Sequence, residues 1–392
     1  MEIKLNQKTT FLSFGLGIIV WLLSIFFVYG IAAVLLKAIV LTLLLGGVFS
    51  FVISNNWKLH ILEKNLLVYF LMILGILLGI LFNNYTWDEI LKNYLILFFL
   101  WSFYSFSNQE SFKPLNNYIS ETFYWFFLVF IIFNLFVIKS NSGNYTFDLI
   151  NDQNFTGLMI FLFFTYSWHF KRIIGILPCL YFITFLSSSR GLFGMLVIFF
   201  FCIMFRNTVY SIIKKFFAKI WRLMLVLFIF IMGLSIYWIG NISTDNLSNY
   251  REGLNDGSNK MRFSANVYSM DLIKENDNLW LSGYGSLLKQ VYGIEEDKPE
   301  ANHARYNGVR LVQPHNSFLN LFIKMGIIPG VIYLFVVSII IDKLVSRNTI
   351  EFIIPYFINA SFMHSFFNGP WFVLWLLILY FCKYVKRDKL RI

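Results

Sequence analysis

Three residues in this chain have types and settings suited to chemistry on an anion. Arg190 lies in Ser187-Ser188-Ser189-Arg190-Gly191, between two apolar runs and with no acidic residue near it in sequence. A guanidinium in such surroundings is costly unless paired. An anionic ligand is therefore its natural partner, with the Ser189 hydroxyl beside it as a further binding group; the plain alternative is an arginine that snorkels to lipid phosphate. Arg262, in Lys260-Met261-Arg262-Phe263, precedes an amphipathic stretch, Phe263 to Glu275, whose Val267, Met270 and Ile273 fall at helical spacing. Arg251, Arg305 and Arg310 join it as permanent cations of one polar segment. Most such arginines are merely solvated, and Arg262 stands out by its place where a helix meets an apolar boundary.

Pro314-His315-Asn316-Ser317 stands immediately before an apolar run that starts at Phe318. Asn316 or Ser317 fits as an N-cap, leaving the first N–H groups of the helix open to an anion. His315 titrates near neutrality, so it can take a proton from a hydroxyl or bind a phosphate; both roles stay open. His364 and Asn368 sit at the end of a later run on the same side, and Lys324 lies within an apolar run. Ionisable residues inside apolar runs are functional suspects, although a lysine can also snorkel. Trp280, Tyr284, Tyr292 and Tyr306 offer rings that stack on sugars or anchor at lipid headgroups.

The surroundings that must position these residues are apolar. The 392 residues are 58% hydrophobic, 20% aromatic and 14% charged, against about half apolar and a quarter charged in soluble domains. The net charge of +11 comes in short clusters between apolar runs, which suits membrane orientation better than a nucleic-acid face. Cys179, Cys202 and Cys382 fall in apolar runs or at the end of one, so neither a disulfide framework nor a thiolate metal site is implied. There is no Walker loop, no HExxH and no Cys/His ligand cluster. The first apolar run lacks a small-residue cleavage pattern and is read as a retained helix.

Spanning a hydrocarbon core of about 30 Å takes roughly 20 helical residues. Twelve runs qualify, some by borrowing flanking residues: Phe11 to Tyr29, Ile31 to Ser54, Leu66 to Phe82, Ile90 to Phe106, Phe123 to Ile138, Gly157 to Tyr166, Ile173 to Ser187, Leu192 to Phe205, Trp221 to Ile239, Phe318 to Ile341, Ile350 to Phe367 and Trp371 to Phe381. Alternate connections then collect nineteen lysines and arginines, among them Lys171, Arg172, Arg206, Lys343, Arg347 and Lys383. The short connections opposite hold only Lys139 and Arg190, with Lys92 just inside the fourth run. By the positive-inside bias both termini are cytoplasmic.

The expected fold is therefore an all-α integral membrane protein of about 12 transmembrane helices. Helices 1–9 fill residues 1–240, one long periplasmic loop fills 241–314, and helices 10–12 with a cytoplasmic tail fill 315–392. The loop's eight basic and ten acidic residues nearly balance.

An arginine in Ser-Ser-Arg-Gly at the outer end of a helix hairpin, a long outer loop with Arg262 leading its helix, and His315-Asn316 before a helix together resemble the O-antigen polymerase and O-antigen ligase superfamily of bacterial membrane glycosyltransferases. The layout is similar over most of the chain, and the specific residues lie between Ser187 and Gly330. The family signature runs from His, then Asn, Ser or Gln, through nine residues to Gly, then two residues to Gly, Thr or Tyr. His315, Asn316 and Gly326 fit it, whereas the last position is Pro329, with Gly330 one later.

The resemblance implies transfer of a glycan from undecaprenyl diphosphate to an acceptor hydroxyl at the periplasmic face, without nucleotide, metal or other cofactor. Arg190 and Arg262 would hold the diphosphate and His315 would act on the acceptor hydroxyl or the phosphate, with Asn316, Ser189, Arg251, Arg305, Arg310, His364 and Lys324 lining the substrate. The implied partners are the undecaprenyl-diphosphate-linked oligosaccharide, an acceptor glycan or lipid A core, membrane lipids and a chain-length regulator protein, and no nucleic acid. The leading expectation is a polymerase of repeat units in the inner membrane. A ligase acting on lipid A core is the close alternative, and a flippase for lipid-linked oligosaccharide the distant one; a transporter would place charges at mid-membrane in paired halves.

Overall fold

The structure is a computed structural model that describes residues 66–82, 90, 93–98, 100–101, 104, 113–136, 138–141, 144–147, 153–186, 190–217, 257–283, 305–306, 309–310, 316–360 and 370–384. These residues form helices and two short hairpins, joined by turns. The helices are α1 (Leu66–Phe82), α2 (Lys113–Phe136), α3 (Gln153–His169), α4 (Ile173–Tyr181), α5 (Arg190–Met204), α6 (Arg206–Phe217), α7 (Gly257–Glu275), α8 (Ser317–Met325), α9 (Ile327–Leu344), α10 (Ile350–Ala360) and α11 (Pro370–Tyr384). A π turn, Phe182–Leu186, extends α4, and a 3₁₀ turn, Asp277–Trp280, follows α7. Strands β1 (Ile138–Asn141) and β2 (Asn144–Phe147) pair antiparallel, as do β3 (Arg305–Tyr306) and β4 (Val309–Arg310).

The expected runs map onto these helices with instructive differences. Leu66 to Phe82 is α1, residue for residue. The run from Phe318 is not one helix: Gly326 breaks it into α8 and α9. The basic connection after Phe205 is itself helical, as α6, bent by 90° from α5. Among the described residues, α9 alone is long and apolar enough to cross a membrane by itself, and α5 with α6 passes that test only as a bent pair. The runs Phe11 to Tyr29, Ile31 to Ser54 and Trp221 to Ile239 lie outside the described residues.

Apolar side chains alone do not dictate which helix pairs with which; aromatic and small residues do. Tyr94 donates to the Pro329 carbonyl oxygen at 2.7 Å and meets Tyr333 edge-on, joining its own segment to α9. Tyr166 of α3 contacts Phe381 of α11, Phe161 of α3 contacts Phe199 of α5, and Tyr356 of α10 stacks on Trp375 of α11 with ring centroids 4.0 Å apart. Aromatic pairs of this kind add about 1 kcal/mol each beyond area burial. The three cysteines are buried and form no disulfide.

These contacts fix the relative directions. Gly157 packs near Leu192 and Trp168 near Phe200, so α3 and α5 run parallel. Tyr166 near Phe381, and Lys383 Nζ donating to the Lys343 carbonyl, align α11 with α3 and with α9. The C-terminal ends of α3, α5, α9 and α11 thus gather at one end of the bundle, with Arg172, Arg206, Lys343, Arg347 and Lys383. There Arg172 pairs with Glu121 and lies 4.0 Å over the Tyr124 ring, and Arg206 pairs with the buried Glu351 at 2.7 Å. His169, at this end, is buried edge-on to Phe352. The N-terminal residues of the same four helices, Gln153, Arg190, Ile327 and Pro370, mark the opposite end.

Candidate functional site at the helix N-terminal end

Residues 257–283, 305–306, 309–310 and 316–325 form one assembly at that opposite end. Helix α7 starts at Gly257, six residues before the expected Phe263, because Ser258, Asn259 and Lys260 continue the helix. Arg262 therefore sits in its second turn rather than ahead of it. Ala265, Val267, Ser269 and Leu272 are buried, and α7 packs on α8 and on both strands of the β3/β4 hairpin. The hairpin register sets Arg305 opposite Arg310. Between the strands lie Asn307 and Gly308, the dipeptide most typical of a two-residue hairpin loop.

Asn316 is the N-cap of α8. Its Oδ1 accepts from the N–H groups of Phe318 at 3.0 Å and Leu319 at 3.2 Å. Residues 316–321 are buried. With Oδ1 turned into the helix, Nδ2 points away from it and, among the described residues, is buried without a hydrogen-bond partner. A buried amide N–H₂ left unsatisfied costs about 1–3 kcal/mol, so this end of α8 holds an unused donor beside a helix N-terminus, a combination that favours an anionic or hydroxyl-rich ligand.

Gly326 explains why the apolar run breaks. Its φ of 89° and ψ of 159° lie in a region essentially confined to glycine. Its N–H closes α8 on the Phe322 carbonyl at 2.8 Å, and its own carbonyl accepts from Gly330 at 3.0 Å to start α9. The Leu281–Ser282 backbone crosses this break, 3.0 Å from where a Cβ on Gly326 would stand. Gly283 continues the crossing against the Lys324 carbonyl. This glycine clamp was not read from the sequence, although a Gly before Ile-Ile-Pro in an apolar run is its signal. Lys324 itself is half-buried in the last turn of α8.

Arg190 is the first residue of α5. Helix α5 packs antiparallel along α10, through Asn359 Nδ2 at 3.0 Å from Met195 Sδ near one end and the Arg206–Glu351 pair near the other. Arg190 thus shares an end with Ala360, after which the chain continues toward His364. It also shares that end with the start of α9, where the assembly of α7 and α8 sits. Ser189, Arg251, His315, His364 and Asn368 lie outside the described residues. Among the described residues, no group of His, Cys, Asp and Glu is placed to hold a metal ion.

Residues 174–334 match the family model described as O-antigen ligase. No curated relative and no solved structure matches the chain. The matched stretch runs from α4 to the middle of α9, taking in Arg190, Arg262, the β3/β4 hairpin, His315, Asn316 and the Gly326 break. Over that stretch the chain is similar to the O-antigen ligase family, whose members are membrane-associated, glycosyltransferase-like enzymes.

Proposed function

We propose that the protein is an O-antigen, or surface-polysaccharide, polymerase that transfers an undecaprenyl-diphosphate-linked glycan to a hydroxyl of an acceptor repeat unit at the periplasmic face of the inner membrane. The observation that carries this reading is the packing of the Arg262 helix against both the Arg305/Arg310 hairpin and the helix capped by Asn316, at the bundle end where α5 begins with Arg190. The helices and the hairpin that carry these arginines meet there with the Asn316 cap, at the end opposite the basic end of the bundle.

In this reading the acceptor oxygen attacks the anomeric carbon, the bond from that carbon to the diphosphate oxygen breaks, and the hydroxyl proton passes to His315. Undecaprenyl diphosphate leaves with its added negative charge. Arg190 and Arg262 stabilise that charge as it develops, since guanidinium groups stay ionised and bind phosphate bidentately. His315 has a second possible role as a phosphate ligand at the α8 N-terminus. About 12 transmembrane helices, with both termini cytoplasmic and residues 241–314 periplasmic, complete the topology, supported by the nineteen basic residues of alternate connections.

The second reading, a ligase that moves the finished glycan to lipid A core, is favoured by the description of the matching family. Deleting the gene separates the two. A polymerase mutant leaves single repeat units on the core, whereas a ligase mutant strips them all and accumulates lipid-linked glycan; a bare core with repeat units trapped on the cytoplasmic side points to a flippase instead.

A further inference from the structure

At the basic end of the bundle, away from the candidate site, the elbow between α5 and α6 forms an open surface pocket of about 380 Å³ lined by Arg206, Asn207, Thr208 and Arg347 with Met204 and Phe205. That volume lies in the range of small-molecule sites, about 300–1,000 Å³. The two arginines come from different parts of the chain: Arg206 opens α6, and Arg347 lies in the turn between α9 and α10. Thr349 braces that turn, accepting the Ser346 N–H at 2.8 Å and donating to the Leu344 carbonyl at 2.9 Å. Glu351 takes one N–H of Arg206, and among the described residues the Arg206 Nε–H is buried without a hydrogen-bond partner. One carboxylate against two guanidinium groups leaves the pocket cationic.

The elbow has the form of an interfacial element. Helix α6 turns 90° from α5, packs on α10 and carries Lys214 and Lys215 in its sequence. Phe201, Met204, Phe205 and Ile212 leave large apolar surfaces exposed on the two arms. A helix at right angles to a span that carries both basic and apolar residues lies in the headgroup plane and is drawn to anionic lipid.

We infer that this pocket binds the phosphate of an anionic phospholipid headgroup, with Arg206 and Arg347 as the phosphate ligands and the exposed apolar residues of the elbow against its acyl chains. The inference rests on the membrane reading under Proposed function, but not on the transferase activity. It assigns a lipid site to the cytoplasmic face, at the opposite end of the bundle from the glycan site.

The test is native mass spectrometry of the full chain released from nanodiscs holding equal amounts of phosphatidylcholine and phosphatidylglycerol. The wild-type chain is expected to retain phosphatidylglycerol selectively. Arg347→Ala, a substitution on an exposed turn, should weaken that retention roughly fivefold, and Arg347→Lys should keep most of it. Equal retention of both lipids by wild type, or unchanged selectivity in Arg347→Ala, overturns the inference. Displacement of the lipid by millimolar inorganic phosphate overturns the lipid as the source of the anion. Glycan transfer measured on the same discs is a separate readout: lost selectivity with transfer intact fails the pocket alone, while retained selectivity without transfer fails the transferase reading alone.

Discussion

A Cβ added to Gly283 would fall on the carbonyl oxygen of Lys324, so the chain leaving α7 lies backbone to backbone against the last turn of α8. The helix that carries Arg262 and the helix capped by Asn316 are thereby held as one piece, with no room for a side chain between Gly283 and the Lys324 carbonyl.

Gly283→Ala forces backbone apart from backbone, and neither side can yield by a rotamer change. It should destabilise the protein by about 1–3 kcal/mol and reduce glycan transfer by spreading the two helices. Thermal unfolding in detergent and initial rates on lipid-linked substrate measure both effects. Gly194→Ala, where a Cβ meets nothing within 4 Å, is the control and should leave both unchanged.

Gly326→Ala places a methyl group on a residue at φ 89°, at a cost of about 1–3 kcal/mol. Straightening the break would merge α8 into α9 and swing the Asn316 end away from α7. A lowered melting temperature together with lost transfer is the expected result.

Asn316 can be divided by substitution. Asn316→Asp keeps the cap acceptor and should hold stability near wild type, yet it replaces the buried Nδ2 donor by an anionic oxygen and should abolish transfer of a diphosphate-linked donor. Asn316→Ala loses the cap as well, costing about 1 kcal/mol. Stability and transfer rates of the two variants, compared side by side, separate cap from ligand.

At the other end of the bundle, Glu351→Ala leaves the Arg206 guanidinium without its carboxylate. Breaking a buried pair costs about 3–5 kcal/mol, and the partial exposure of Arg206 places this variant at the low end. The melting temperature should fall while the apparent affinity for the glycan donor, measured below the new transition, stays unchanged.

Much of the frame was legible in the sequence. Leu66 to Phe82 is apolar from end to end, so its helix could be read to the residue, and Asn316 was readable as a cap because a short polar acceptor stood just before an apolar run. The break at Gly326 was not legible, since hydropathy continues unbroken through it; what decides it is a tertiary contact, the Leu281–Ser282 backbone crossing a residue that only glycine can supply. Helix α6 was read as a connection between spans because Arg206, Lys214 and Lys215 fit the basic side of the membrane, although its apolar positions follow a helical period. The two hairpins were passed over as well, despite Asn307-Gly308 being a strong local turn signal, because strands of two and four residues leave too short an alternation to register.

The site was legible in its residue types and not in its assembly. Arg305 and Arg310 looked like scattered loop cations until the β3/β4 register set them opposite each other and against the Arg262 helix. Arg190 stood out through its isolation from any acidic residue, and the direction of α5 along α10 brings it to the same end.

The most direct measurement of the central claim is transfer by purified, reconstituted protein given a defined undecaprenyl diphosphate oligosaccharide, with wild type, Arg190→Ala, Arg190→Lys, Arg262→Ala and His315→Ala compared at equal membrane content. Wild type should lengthen the glycan, and each variant should lose at least about a hundredfold in rate, Arg190→Lys included, because a point charge does not replace the guanidinium fork. Full activity in Arg190→Ala would contradict the assignment of the diphosphate clamp.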